Sequence, residues 1–254
     1  MRRRIAIVAT CLGLVACVRD GSSATSPAPP SAPAPAPATS AAPVAVQASL
    51  PSDATTVLRA RGKRFHVYER PGPGAVLART LAATNDWAQP LWLPATESFV
   101  DASGTAWYRV RLPVRPNRTT GWVRGSEVRG RVIGERIEVD LSEHRLWRVA
   151  HGRVVSAYAV GVGAATTPTA PGRFFVWARV PSDPSGPYGV LALGLSGFSD
   201  VITDWVGGGR LAIHGTSQPS DRGEDVSHGC VRVFNPQMLS LADVSLGTPV
   251  WIHR

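Results

Sequence analysis

Beyond residue 54 turn-forming residues recur so often that no stretch keeps a 3.6-residue apolar rhythm long enough for a long helix. Pro71-Gly72-Pro73-Gly74, Asp101-Ala102-Ser103-Gly104 and Asn117-Arg118-Thr119-Thr120-Gly121 interrupt short apolar alternations, the pattern of hairpin turns in a small barrel over residues 54–130. From Glu135 the rhythm is that of a meander. Ile137, Val139 and Leu141 alternate, Ser142-Glu143-His144 turns, Leu146 to Val149 returns, His151-Gly152 turns again, and Val154 to Val160 follows. Three sequential antiparallel strands are predicted there. Phe174-Phe175-Val176-Trp177, Val190-Leu191-Ala192-Leu193, Leu211-Ala212-Ile213 and Thr248-Pro249-Val250-Trp251-Ile252 supply further strands. One helix is predicted, with Asn235 as N-cap, Pro236 at the first helical position, an apolar set of Met238, Leu239, Leu241 and Ala242, and an end before Gly247. The chain is therefore expected to be mainly β with one or two short helices, in two folded parts, 54–130 and 131–254.

The residues ahead of these parts read as export and tether. Over residues 1–21, Met1-Arg2-Arg3-Arg4 precedes a mostly apolar run from Ile5 to Ala16, a charged n-region and an h-region too short to span a bilayer. Leu14-Val15-Ala16-Cys17 resembles a bacterial lipobox, which implies cleavage and lipid attachment at Cys17, a membrane anchor that two or three acyl chains hold stably where one would not. Residues 22–53 are dominated by Ser, Ala, Thr and Pro and carry no aromatic residue. Such a segment is expected to be a disordered, fairly stiff tether, whose twenty-five residues from Pro27 to Pro51 reach about 75 Å at about 3.1 Å per residue if extended. The formal charge of +9 is almost all arginine, Lys63 being the only lysine, and the arginines are spread along the chain. That distribution fits acidic wall polymers or lipid head groups better than nucleic acid, and plain solubility accounts for it equally well. The predicted location is the cell envelope, on the extracytoplasmic face.

Of the three cysteines, Cys11 and Cys17 lie in the export segment, so Cys230 is the lone thiol of the exported body. A single thiol beside two histidines in an oxidising compartment points to chemistry, not to a disulfide. Leu211-Ala212-Ile213 is predicted to deliver His214 at its end, with Gly215 permitting close approach of backbone or substrate. The polar run from Thr216 to Asp225 belongs at the surface. If Val226 to Val233 is extended, the period of two sets His228, Cys230 and Arg232 on one face and Val231 and Val233 on the other. An ordinary thiol is only about 3% thiolate at pH 7, so a histidine is of most use in moving the proton. The residues thus suit attack of Cys230 on an amide carbonyl, with a histidine shuttling the proton and backbone N–H groups around Gly229 and Cys230 holding the oxyanion.

Ile213-His214-Gly215-Thr216, Ser227-His228-Gly229-Cys230-Val231-Arg232 and Asn235 resemble the L,D-transpeptidase (YkuD-like) catalytic domain. The likeness extends upstream to Gly161-Val162-Gly163, to Thr167-Pro168-Thr169-Ala170-Pro171-Gly172-Arg173-Phe174 and to Gly207-Gly208-Gly209. It implies that Cys230 is the acylated nucleophile and His214 the general base and acid, with the backbone of Gly215 orienting the imidazole. Ser227, His228 and Gly229 would shape the oxyanion hole and cleft. Arg232 would either grip a substrate carboxylate or pair with an acidic loop residue. The implied substrates are peptidoglycan stem peptides, the implied product a 3–3 cross-link, and no cofactor is needed. Water as acceptor would give an L,D-carboxypeptidase, and an envelope protein as acceptor an anchoring enzyme. Sensitivity to carbapenems through Cys230 is implied as well.

Trp107-Tyr108-Arg109-Val110-Arg111 followed by Gly121-Trp122-Val123-Arg124 is similar to the last strands of bacterial SH3-like domains, which implies binding of wall peptides or orientation of the next domain. Trp87, Trp92, Trp107 and Trp122 filling a core is the competing reading. Two other classes stay open: a His₂Cys zinc site from His214, His228 and Cys230, and a non-catalytic wall-binding lipoprotein. His66, His144, His151 and His253 fall in turns, strands or the terminus with no acidic or cysteine cluster beside them and are read as ordinary surface histidines.

Overall fold

The structure, a computed structural model, describes residues 54–204 and 207–254; the expected export segment, Cys17 and the expected tether lie outside the described residues. The chain is mainly β. Seven strands, β1 (Thr55–Ala60), β2 (Arg64–Tyr68), β3 (Leu77–Ala82), β4 (Leu93–Val100), β5 (Ala106–Arg111), β6 (Thr120–Arg124) and β7 (Val128–Ile133), form a first sheet in the order β3-β2-β6-β5-β4-β1-β7. Then come β8 (Glu135–Asp140), β9 (Arg145–Ala150), β10 (Arg153–Ala159), β11 (Val162–Gly163), β12 (Gly172–Pro181), β13 (Leu191–Phe198), β14 (Arg210–Thr216), β15 (Asp225–Ser227), β16 (Val231–Phe234) and β17 (Pro249–His253). Eight of these make a second sheet, β10-β9-β8-β17-β12-β13-β14-β16, while β11 and β15 pair separately in parallel.

The predicted meander is β8, β9 and β10, antiparallel throughout. Ile137 and Val139 of β8 and Leu146 and Val149 of β9 are buried, which is why their alternation was readable. The last strand, β17, returns between β8 and β12, parallel to the first and antiparallel to the second. In β12 the run Phe174 to Ala178 is buried on both faces. Phe174 and Val176 enter the core of the second sheet, whereas Phe175, Trp177 and Ala178 pack with Phe65, Leu93 and Val123 of the first. A strand covered on both sides loses its polar face, and the continuous apolar run in the sequence reports this.

Three sequence expectations are corrected. The helix is one short turn, α1 (Asn235–Met238), continued as a 3₁₀ turn over Leu239–Leu241. Only Met238 and Leu241 of its expected apolar set are buried; Leu239 and Ala242 face solvent. Asn235 makes no side-chain cap. Its Oδ1 accepts the Val190 N–H at 3.0 Å and its Nδ2 donates to the Pro184 carbonyl at 3.0 Å, so it fastens a distant loop instead. The stretch from Val226 to Val233 is broken between β15 and β16, where Gly229 adopts φ +109°. Of the four tryptophans expected in a core, only Trp107 is fully enclosed, its indole N–H donating to Asp101 Oδ2 at 2.8 Å. Trp87 is half exposed against Trp177, and the Trp92 ring meets the guanidiniums of Arg59 at 5.6 Å and Arg131 at 4.3 Å.

Candidate active site

Strands β14 and β16 run parallel with Ile213 opposite Val231 and His214 opposite Arg232. Val231 and Val233 are buried in the core, which fixes β16 against β14. Cys230 immediately precedes β16, and so lies beside the strand that carries His214. β14 continues two residues beyond His214, so the histidine emerges from within the strand and not at its end. A cavity of about 320 Å3 gathers His214, Ser227, His228, Cys230 and Arg232 along one lining, with Tyr188 among the other walls. The period of two fails at Gly229, yet His228, Cys230 and Arg232 still reach the same pocket.

His214 is buried, and its Nδ1–H donates to the Gly215 carbonyl at 2.8 Å. That bond fixes the neutral tautomer whose Nε2 carries the lone pair. The Tyr188 ring stands edge-on to the imidazole, with centroids 5.3 Å apart. Burial pushes the His214 pKa below the usual histidine value; the Gly215 bond opposes this, Arg232 reinforces it and Asp221 opposes it. Burial pushes the Cys230 thiol up, against a hydrogen bond from the Ala212 backbone and the Arg232 charge. Both shifts favour a neutral imidazole beside a protonated thiol at rest.

The turn carrying the cysteine is closed by Ser227, whose hydroxyl accepts the Gly229 N–H at 3.1 Å and donates to the Cys230 carbonyl at 2.6 Å. The Gly229 N–H is therefore engaged inside the turn. The positive φ at Gly229 is a conformation that other residues adopt only with strain. Gly215 is required by backbone packing: a Cβ there would lie 2.3 Å from Asn235 Oδ1 and 2.9 Å from the Val190 nitrogen. His228 lies at the exposed rim of the pocket.

Arg232 pairs with an acidic loop residue. Its Nη1 donates to Asp221 Oδ2 at 3.3 Å, and the same oxygen accepts the Thr216 hydroxyl at 2.8 Å. Arg232 Nε is buried without a hydrogen-bond partner among the described residues. Asp221 is itself buried, although the Thr216 to Asp225 run reads as surface. Nothing in the local pattern distinguishes Asp221 from its exposed neighbours, and Tyr188 likewise gave no signal. Of the other histidines, three each meet a single carboxylate: His66 meets Glu127 at 3.2 Å, His144 meets Asp225 at 2.9 Å and His253 meets Asp140 at 3.5 Å. No group of three or more His, Cys, Asp and Glu side chains arranged to hold a metal ion occurs among the described residues.

A family model described as the L,D-transpeptidase catalytic domain, YkuD, matches residues 134–252. The YkuD protein of Bacillus licheniformis is 36% identical over 112 residues, spanning 44% of this chain and 61% of that protein. Its Bacillus subtilis counterpart is 34% identical over 119 residues, spanning 46% and 65%. The matches thus cover less than two thirds of either relative's length. Among solved structures, a crystal structure of Enterococcus faecium L,D-transpeptidase is 27% identical over 47% of this chain and 49% of that one, with a TM-score of 0.37. An L,D-transpeptidase from Mycobacterium smegmatis is 16% identical over 59% and 91%, with a TM-score of 0.39. The family likeness of this chain is thus to L,D-transpeptidase catalytic domains, over residues 134–252.

Proposed function

We propose that the protein is a peptidoglycan L,D-transpeptidase working by acyl transfer through Cys230. The observation that carries this reading is the His214 Nδ1–H bond to the Gly215 carbonyl, which leaves Nε2 as a base in the pocket that also holds the Cys230 thiol. In the first half-reaction the sulfur attacks the carbonyl carbon of the third residue of a tetrapeptide stem, and His214 Nε2 takes the thiol proton. The tetrahedral oxyanion is met by the Cys230 N–H and by the His228 side chain at the rim, because the Gly229 N–H is occupied by Ser227. Collapse breaks the amide bond, and His214 passes its proton to the departing D-alanine amine, leaving a thioester. In the second half an amine of a neighbouring stem attacks the thioester, gives its proton to His214, and the sulfur leaves with that proton restored.

Arg232, tied to Asp221 through one nitrogen and with a buried, unpartnered Nε, suits a substrate carboxylate. Export, a lipid on Cys17, the 22–53 tether and an SH3-like part over 54–130 that binds wall peptides would together place this chemistry at the cell wall. Water or an envelope protein could replace the stem amine as acceptor without altering the nucleophile or base. Mass spectrometry of products from a purified tetrapeptide ending in D-alanine tests the reading. Loss of D-alanine, a thioester adduct on Cys230 and dimeric 3–3 product are expected, all abolished by Cys230→Ala. Retained acyl transfer by Cys230→Ala would refute it.

A further inference from the structure

The turn between β5 and β6 of the first sheet reaches across to the pocket of the second. Arg115 Nη1 donates to the Ser199 carbonyl at 3.0 Å, and Nη2 donates to the Ile202 carbonyl at 3.1 Å and the Gly208 carbonyl at 2.8 Å. Two residues on, Asn117 pairs with Phe198 as a strand would: its Oδ1 accepts the Phe198 N–H at 2.9 Å and its Nδ2 donates to the Phe198 carbonyl at 2.8 Å. The Phe198 ring lies under two guanidiniums, Arg115 at 4.8 Å and Arg210 at 4.3 Å.

These contacts fall on residues that form part of the pocket wall, for Ile202, Gly209 and Arg210 line the cavity that holds Cys230 and His214. Three carbonyl oxygens converging on one point from two chain runs repel one another unless a cation sits among them. Arg115 supplies that cation, and its fork of five donors suits several acceptors at once. Gly209, at φ +71°, permits the approach: a Cβ there would stand 2.0 Å from the Ile202 carbonyl oxygen. The catalytic strand itself is held independently by β13 and β16.

We infer that Arg115 and Asn117 are positioning residues through which the first sheet sets the shape of the donor-binding wall. The inference rests on the acyl-transfer reading and deepens it: the part before residue 134 supplies a specificity element to the catalytic pocket.

The test compares full-chain wild type, Arg115→Ala, Arg115→Lys and Asn117→Ala in three measurements. These are KM and kcat for the tetrapeptide ending in D-alanine, the rate of Cys230 alkylation by iodoacetamide, and thermal unfolding. Loss of wall contacts made alike to substrate and transition state raises KM and spares kcat. Arg115→Ala is expected to raise KM about tenfold or more with kcat within about threefold and alkylation unchanged. Arg115→Lys should restore part of the loss, and Asn117→Ala should move KM in the same direction by less. KM unchanged in a folded Arg115→Ala, or kcat and alkylation falling in step with KM, would overturn the inference. Should Arg115→Ala not fold, a KM unchanged in both Arg115→Lys and Asn117→Ala overturns it equally, and a KM raised in both supports it. Wild type that is alkylated on Cys230 yet releases no D-alanine would refute the acyl-transfer reading itself, a result distinct from a normal wild type with indifferent variants.

Discussion

Replacing Asp221 by alanine isolates the buried contact that the sequence pattern did not reveal. One carboxylate oxygen accepts both the Thr216 hydroxyl at 2.8 Å and Arg232 Nη1 at 3.3 Å. A hydrogen bond to a charged group contributes about 1.5–3 kcal/mol, and breaking a buried ion pair costs about 3–5 kcal/mol. The Arg232 side chain retains 28% of its exposure, so water screens part of the stranded charge. The lower end applies, about 2–3 kcal/mol. For a folded region of this size about 1 kcal/mol shifts Tm by about 2–4 °C, so Asp221→Ala should unfold about 4–12 °C earlier. A chemical effect accompanies the loss. Asp221 holds the His214 pKa up while Arg232 holds it down, so the variant's imidazole should titrate lower still. With its counter-charge gone, Arg232 should also favour the Cys230 thiolate more strongly, moving alkylation to lower pH. Differential scanning calorimetry and the pH profile of iodoacetamide alkylation, followed by intact mass, read both effects. A Tm within about 2 °C of wild type, or an alkylation profile moved to higher pH, would refute the reasoning.

Three further outcomes follow from the same geometry. Gly215→Ala must displace Asn235 from the Val190 N–H and disturb the carbonyl that holds His214; overpacking of this kind costs about 1–3 kcal/mol, and both Tm and kcat should fall. Ser227→Ala strands the buried Gly229 N–H and frees the Cys230 carbonyl, costing about 1–3 kcal/mol in chemical denaturation and lowering the rate of Cys230 acylation. In the proposed mechanism turnover needs neutral His214, the form present above its pKa. Because burial lowers that pKa, the acid limb of kcat/KM should lie below the ordinary histidine value of about 6.5, and a limb above pH 7 would contradict it.

Legibility followed range. The meander β8 to β10 was readable because each apolar position faces one core and each turn is local. Cys230 and His214 stood out because a lone thiol beside paired histidines, in a chain whose start reads as an export signal, has few structural uses. Local patterns failed where a residue serves a distant partner. Asn235 has the chemistry of a helix cap, but its amide is taken by Pro184 and Val190, so the helix it would have started is one turn long. Asp221 sits in a polar loop yet is drawn inward by Thr216 and Arg232. Arg115 meets carbonyls more than eighty residues away. Nor does any local pattern state that β17 inserts between β8 and β12, or that β14 and β16 run parallel.

The pKa directions bear on how the thiol reacts. A preformed thiolate–imidazolium pair needs the cysteine pKa lowered and the histidine pKa raised, and burial moves each the opposite way. Arg232 lowers both, helping the thiolate while discouraging the imidazolium beside it. A buried neutral pair reacts when proton transfer and carbonyl attack proceed together, because separated charges in a desolvated pocket are costly until the substrate oxyanion meets its donors. Reactivity toward a small alkylating reagent, which offers no such oxyanion, should therefore be modest at neutral pH, while acylation by a carbonyl donor is fast. The ratio of those two rates, more than the absolute nucleophilicity of Cys230, measures what the pocket contributes.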